Sequence, residues 1–310
     1  MDGSNSVEKR NNVKATHYRS KLFEPFDHLE KLGYRLRLLD NESVAVVHVP
    51  GFAVDAFDVY GNCHAWGIVK MIGRAVDFAH CFALDSSSER FFLDYAILFD
   101  ELFTFMASSS IEFDKSLYNP LVSKWPLNIN VHLGYVGTSS INFVSNIVEP
   151  SSGEILVRNV NQLVAIDKET RKPTPLPSWW KKKHGDKAVR KEPLIVQKLS
   201  KPDDAHTYTF RVSWSEIDLY NHVNWTSYVL YSINALHHGI KEGVLRGINK
   251  EVVKNGVQRM QMAYFGECVE GDQLTVYFWE VEDQPRTVYF DMERDGRTVF
   301  QNTLTYHKKE

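Results

Sequence analysis

The segment "VSWSEIDLYNHVNWTSYVLYSINALHHG" at residues 212–239 places three polar side chains directly ahead of a long apolar stretch. Asp218, His222 and Asn224 supply a carboxylate, an imidazole and an amide, and the first two are groups that perform acid–base catalysis. A helix that begins here adds unpaired backbone N–H groups with partial positive charge. A structural role is the alternative, because Asp218 and Asn224 are good helix caps and a lone His222 is more often a turn histidine.

The polar turn belongs to a weak internal repeat. Residues 57–79, "FDVYGNCHAWGIVKMIGRAVDFA", align without a gap on the segment that contains the turn, and the offset of 160 residues (218 − 58) pairs Asp58 with Asp218. The first copy also holds Cys63 and His64, which are the residue types of a Cys/His nucleophile pair. Adjacent side chains on a helix point in different directions, so we interpret the first copy as a degenerate half that packs against the second.

The two copies are flanked by the same order of predicted elements. A strand-like run precedes each copy, "SVAVVHVPGF" or "HTYTFRVSWSE", and the apolar residues of the second copy follow helical spacing up to Gly239 and Gly243. Runs with β-branched and aromatic residues come next, beginning with "RFFLDYAILFDELFTF" at residues 90–105 in the first half. This order predicts an α+β protein of two tandem halves, each an antiparallel sheet wrapped around a long helix.

Composition changes divide the chain into four predicted segments. They are a flexible N-terminus (1–16), a first half (17–168), a linker (169–204) and a second half (205–310). The first half carries an additional segment at 108–126, "SSSIEFDKSLYNPLVSKWP", where the second half turns quickly. The linker is rich in proline and lysine, which is typical of a solvated basic connector, with a docking surface for an acidic carrier protein as the alternative.

The composition excludes several classes of function. The 310 residues carry a formal net charge of −3, so no general attraction to nucleic acid or acidic membranes is expected. Three scattered cysteines are too few for a disulfide framework, and neither they nor the His237–His238 pair form a metal site, so we expect no metal and no cofactor. No apolar run is long enough to span a membrane. We interpret the protein as cytosolic, with an organelle address left open.

Two motifs in the second half resemble those of the double hot-dog acyl-acyl carrier protein thioesterases. The stretch "SWSEIDLYNHVNWTSYV" is similar to the family's strand–turn–helix signature W-S-D-x-D-x-x-x-H-V-N-N-x-x-Y. The matching residues are Trp214, Ser215, Glu216, Asp218, His222, Val223, Asn224 and Tyr228. The later stretch "QMAYFGECVEGD" is similar to the family's strand with an adjacent Glu-Cys pair, here Glu267 and Cys268. The resemblance in architecture extends over residues 17–307.

The resemblance implies a tandem hot-dog fold that hydrolyses a fatty acyl thioester. Catalysis would lie in the second half, with Asp218 as base or nucleophile, His222 orienting it or polarising water, and Glu267 and Asn224 completing the polar network. The first half would bind the acyl chain, which is attached to acyl carrier protein or coenzyme A. Cys268 occupies a position once regarded as a nucleophile, but the neighbouring Glu267 would disfavour its thiolate.

The oxyanion of thioester hydrolysis would be stabilised by the amides of residues 223–226 at the helix start. Two positions depart from the family pattern, because Tyr220 and Trp225 stand where the family has asparagine. This departure favours one alternative, a non-catalytic hot-dog protein that binds an acyl chain or acyl-CoA. A second alternative is a 3-hydroxyacyl thioester dehydratase, which needs His64 or His222 to face an acid from the other half. His64 could also line a site between the halves, and a homodimer of double hot-dogs remains open.

Overall fold

The computed structural model describes residues 28–84 and 90–309. The predicted flexible segment 1–16 and the predicted start of the first half at residue 17 lie outside the described residues. The elements of the first half are β1 (Arg35–Leu39), β2 (Val44–Val49), α1 (Ala65–Cys81), α2 (Tyr95–Glu101), β3 (Leu102–Phe113), β4 (Leu127–Val136), β5 (Ser140–Val148) and β6 (Ile155–Asp167). Those that follow are α3 (Ser178–His184), β7 (His206–Arg211), α4 (Ser227–Glu242), α5 (Lys250–Val253), β8 (Val257–Tyr264), β9 (Gln273–Glu280), β10 (Thr287–Arg294) and β11 (Arg297–Tyr306).

The strands form one antiparallel sheet in the order β1-β2-β4-β5-β6-β3-β8-β11-β10-β9-β7. The halves meet where β3 pairs with β8, with Ser108 opposite Ala263 and Glu112 opposite Arg259. Read outward from this junction, β3-β6-β5-β4-β2 and β8-β11-β10-β9-β7 follow the same order of elements. The α+β prediction of two tandem halves is therefore confirmed, and the repeat is structural as well as sequential.

Each half packs one long helix on its part of the sheet. The buried side of α1 includes Ile68 and Ile72, and that of α4 includes Val229 and Leu236, all with no exposed surface. The approach of α4 to the sheet is close at Gly239, where an added Cβ would lie 2.4 Å from the Phe278 ring. Spacing of apolar residues by three and four positions thus buries one face of each helix.

Two features of the first half differ from the sequence prediction. The run at residues 90–105 was predicted as strand, but it forms α2, and β3 begins only at Leu102. The run is continuously apolar, and such a run fits a buried helix as well as a strand. The additional segment is also shorter than predicted, because residues 108–113 belong to β3.

The connection between the halves is packed against the protein. Trp180 of α3 has no exposed surface, and its Nε1 donates a 2.7 Å hydrogen bond to the carbonyl oxygen of Leu93. Further along, the backbone N–H of Val189 donates to the Leu133 carbonyl, and that of Leu199 donates to Gln301 Oε1. This segment is therefore not a solvated connector as predicted, although most of its lysines are exposed.

Candidate active site

A cavity of about 1120 Å³ lies between the halves. Its walls come from one face of α1, from α2, from the turn at residues 217–225 and from the loop after β8. Ligand sites in proteins usually measure about 300–1,000 Å³, so this cavity is large enough for a sizeable acyl group. Its apolar walls include the rings of Tyr95, Phe99, Phe105, Phe143, Tyr220, Trp225, Tyr228, Tyr264 and Phe265.

Asp218 lies at the cavity and organises its own turn. Its Oδ1 accepts the backbone N–H groups of Tyr220 at 2.8 Å and His222 at 3.4 Å, and its own N–H donates to the His222 carbonyl. Asn221 takes the left-handed conformation that this tight turn requires (φ 62°). Burial raises the pKa of the Asp218 carboxyl, although the two N–H donors and the nearby His222 oppose this shift. The carboxyl is therefore better suited to accept a proton than an exposed aspartate.

The turn at Asp58 in the first half has the same construction. Asp58 Oδ1 accepts the N–H groups of Tyr60 at 2.8 Å and Asn62 at 2.9 Å, and the Asp58 N–H donates to the Asn62 carbonyl. This turn does not contribute to the lining of the cavity. Part of the role of each aspartate is therefore structural, and it stabilises a turn rather than capping a helix.

His222 and Glu267 contact each other at the mouth of the cavity. His222 Nε2 lies 3.1 Å from Glu267 Oε2, and Arg171 Nη2 lies 3.0 Å from both oxygens of the same carboxylate. Arg294 donates a further 2.7 Å hydrogen bond to the Glu267 carbonyl oxygen. The structure thus brings together the predicted residues Asp218, His222 and Glu267, since all three line the cavity.

Arg171 also lies at the site, although no sequence motif predicted it. It follows β6 at the start of the predicted linker, where a single basic residue among lysines carries no signal. Its guanidinium lies 4.8 Å from the ring centre of Phe105 and 5.4 Å from that of Phe103. These rings and the Glu267 carboxylate hold it at the edge of the cavity.

The start of α4 offers fewer free amides than predicted. Asn224 Oδ1 accepts from the N–H and the hydroxyl of Thr226, the N-cap residue of α4, so Asn224 stabilises the turn before the helix and does not cap the helix itself. The N–H of Val223 donates to the Cys268 carbonyl, and that of Asn224 donates to the Glu216 carbonyl. Of residues 223–226, Trp225 has the one N–H without an acceptor among the residues that the structure describes. The predicted group of oxyanion donors is thereby reduced to one amide.

Tyr220 and Cys268 differ in their access to the cavity. Tyr220 lines it, and its ring centre lies 5.9 Å from that of Phe99 and 6.0 Å from that of Phe103. The tyrosine therefore extends an aromatic wall where the thioesterase pattern has an amide. Cys268 has no exposed surface and does not line the cavity, and burial raises the pKa of its thiol. A protonated and inaccessible thiol cannot attack a substrate.

The residues predicted in the first half lie elsewhere. His64 directly precedes α1 and is close enough to His237 of α4 to influence its charge, as is Asp58. Neither His64 nor Asp58 lines the cavity. Burial raises the pKa of Cys63 to about 12, so the Cys63–His64 pair has no reactive thiolate at neutral pH.

The cavity also contains a carboxyl from the first half, Asp77, that belongs to none of the predicted motifs. Asp77 lies on the same face of α1 as Gly73 and His80, and its side chain is exposed toward the cavity. The cavity walls limit the hydration of this carboxyl and, together with the charge of Asp218, raise the pKa of Asp77 to about 7. An acidic residue directly between the apolar residues Val76 and Phe78 of the helix was the available signal. In the repeat it aligns with His237.

Among comparisons with known proteins, those with solved structures identify the fold. No protein-family model matches the chain. No curated protein sequence matches it either. Among solved structures, an acyl-ACP thioesterase from Bacteroides thetaiotaomicron is 15% identical, with a TM-score of 0.62 over 87% of this chain and 100% of its own. The 12:0-ACP thioesterase from Umbellularia californica is also 15% identical, with a TM-score of 0.64 over 87% of this chain and 99% of its own. The chain therefore has the double hot-dog fold.

The described residues contain neither a metal-binding cluster nor a membrane-spanning helix. In residues 28–84 and 90–309, no three His, Cys, Asp or Glu side chains are arranged to bind a metal ion. Over the same ranges, no helix combines the length and the apolar character needed to cross a membrane.

Proposed function

We propose that the protein hydrolyses an acyl thioester whose acyl group occupies the cavity. The observation that carries this proposal is the convergence of Asp218, His222 and Glu267 at one end of a cavity with aromatic walls. Hydrolysis of a thioester requires a base for water, a stabilised oxyanion and a route for the thiolate to leave. Groups suited to the first two needs lie at this end.

Asp218 serves as the base in this mechanism. Its Oδ1 is occupied by the turn, whereas Oδ2 has no hydrogen bond to the described residues and can take a proton from water. The hydroxide equivalent adds to the carbonyl carbon, and the Trp225 N–H supports the oxyanion. When the carbonyl re-forms, the carbon–sulfur bond breaks, and the thiolate receives the proton that Asp218 accepted. His222, held by Glu267, orients the water.

The thiol carrier is the less defined part of the substrate. The two solved structures named above are of ACP thioesterases, which favours an acyl-ACP substrate here. An acyl-CoA has the same reacting group and the same phosphopantetheine arm. Both carriers therefore belong in the test.

The test is release of free thiol from a panel of acyl-CoA and acyl-ACP thioesters of graded length. Asp218→Asn should remove turnover, whereas Asp58→Asn, the matched change in the equivalent turn, should retain it. Binding of acyl ligands without thiol release from any member of the panel would contradict hydrolysis and indicate an acyl-binding protein.

A dehydratase is the second candidate, because a carboxyl from one half and an imidazole from the other line the same cavity. Asp77 belongs to α1 of the first half, and His222 belongs to the turn of the second. This is the cross-half pairing that dehydration of a 3-hydroxyacyl thioester needs. Ultraviolet absorbance of an enoyl thioester, without thiol release, would favour this reaction.

A further inference from the structure

Asp77 differs from the other carboxylates of the cavity in having no partner. Glu267 is paired with His222 and Arg171, and Asp218 accepts two backbone N–H groups. Asp77 has no hydrogen bond or ion pair to any residue in the described part of the chain, and its side chain faces the cavity. Something in the cavity, water or ligand, must satisfy this carboxyl when the site is filled.

A plain alkyl chain is a poor occupant of this part of the cavity. Asp77 lines the cavity beside Val76 and near Tyr95, which feels its charge, so an acyl chain that follows these walls passes the carboxyl. Such a chain would displace the water around Asp77 without replacing its hydrogen bonds, which is unfavourable for any polar group. An acyl group with its own hydrogen-bonding group avoids this penalty.

The position of Asp77 indicates where that group must lie. Gly73, one helical turn before Asp77 on α1, lies against Trp225, since an added Cβ at Gly73 would be 3.2 Å from the Trp225 ring. The charge of Asp218 also acts on Asp77. Asp77 therefore lies toward the thioester end of the cavity. A partner for Asp77 therefore belongs on the first carbons after the thioester carbonyl and not at the far end of the chain.

A hydroxyl is the partner that fits the carboxyl in both of its forms. A hydroxyl donates to a carboxylate and accepts from a carboxylic acid, whereas an ammonium group can only donate. The fold itself does not require an acid at this position, because the equivalent residue of α4 is His237.

We propose that Asp77 selects acyl groups that carry a hydroxyl close to the thioester. This inference rests on the proposed function, since it assumes an acyl thioester in the cavity. It adds a substrate class, thioesters whose acyl chain carries a hydroxyl on one of the first carbons after the carbonyl. It also adds a specificity residue from the half that lacks the catalytic turn.

The test compares thioesters of one chain length on one carrier: octanoyl, 3-hydroxyoctanoyl and, as a positional control, 8-hydroxyoctanoyl. We expect the native protein to favour the 3-hydroxy compound over octanoyl by about tenfold or more in kcat/KM, because sites built around a polar group reject analogues that lack its partner. Asp77→Leu should abolish this preference and improve turnover of octanoyl. Asp77→Asn should retain part of it, and His237→Leu, the matched change outside the cavity, should leave it intact.

Three results would overturn the proposal. They are equal kcat/KM values for the 3-hydroxy and plain compounds, a preference for the 8-hydroxy compound, and loss of all turnover in a folded Asp77→Leu variant, which would assign Asp77 to the chemistry. Calorimetric binding of 3-hydroxyoctanoate against octanoate measures the same preference without turnover. If no thioester is hydrolysed, the proposed function fails, and this binding ratio still decides the role of Asp77.

Discussion

Asp218 and Asp58 lie 160 residues apart (218 − 58) and hold their turns by the same backbone hydrogen bonds. Each carboxylate accepts N–H groups two and four residues ahead, and loss of such a bond at a turn or cap destabilises a protein by about 1 kcal/mol. We expect Asp218→Ala and Asp58→Ala to lower the free energy of unfolding by similar amounts. Denaturant titration of both variants provides the measurement.

The asparagine variants separate this structural role from catalysis. Asparagine keeps an acceptor oxygen for the turn but cannot take a proton from water. Asp218→Asn should therefore remain close to the native stability while losing turnover. Stability loss of the same size in the Asn and Ala variants would show that the charge, and not the acceptor, holds the turn.

Arg171 links the segment after β6 to the catalytic end of the cavity. Its contact with Glu267 is 3.0 Å long and partly exposed, and such ion pairs contribute about 0.2–1 kcal/mol. Arg171→Met should lower kcat/KM by about two- to fivefold, because Glu267 would then hold His222 less firmly. Arg158→Met, an exposed change on the preceding strand β6, serves as the control.

Salt provides an independent check of this role. Screening weakens exposed charge pairs at high ionic strength. The native rate should therefore approach that of Arg171→Met as salt is raised, while the variant changes less. A constant ratio across the salt series would argue against a charge-based contribution of Arg171.

Asp77 should make stability depend on pH. Its pKa of about 7 in the folded protein lies above the value of about 3.9 in an unfolded chain, so the folded state binds more protons between these values. Stability from this group is therefore greatest at low pH and is lost as pH rises toward 7. Asparagine does not titrate, so Asp77→Asn should gain Tm relative to the native protein between about pH 5 and pH 8.

The exposed change Asp186→Asn is the control for this series. The Tm difference between it and the native protein should stay level across the same pH range. A level difference for Asp77→Asn as well would mean that Asp77 keeps an ordinary carboxyl pKa in the folded protein.

The sequence predicts local features of this protein, such as turns and hairpins, better than contacts between residues of the two halves. The turn at Asp218 and the hairpin strands β9 to β11 follow from nearby residues, and the repeat extends the same reasoning to Asp58. The secondary structure of residues 95–101 cannot be predicted from nearby residues alone, because a continuous apolar run does not distinguish a buried helix from a strand.

Asp77 and Arg171 illustrate the second difficulty. Neither lies in a motif, and each reaches the site only because β3 pairs with β8 and brings the halves side by side. The free backbone amides near Trp225 also depend on residues that are distant in the sequence. The motif locates the start of a helix, but the number of free N–H groups depends on acceptors such as the Cys268 carbonyl from a distant loop.

The neighbouring tryptophans of α3 test whether the connection between the halves supports the cavity. Trp180 is fully buried and bonds to Leu93, whereas Trp179 is 37% exposed and donates to Glu101. Trp180→Ala should lower the free energy of unfolding by about 3–5 kcal/mol, as deletion of a buried aromatic ring commonly does. Trp179→Ala should change it by less than about 1 kcal/mol, because exposed substitutions have small effects.

Loss of Trp180 should also affect activity, because Trp180 contacts Leu93 just before α2. Leu93 and Asp94 take left-handed backbone conformations (φ 56° and 47°), and they lead directly into α2, whose Phe99 lines the cavity. Strained residues of this kind persist only when their surroundings hold them. We therefore expect Trp180→Ala to raise KM for the acyl substrate at temperatures where the variant is still folded. An unchanged KM would show that α2 keeps its position without the buried indole, and that the connection stabilises the fold alone.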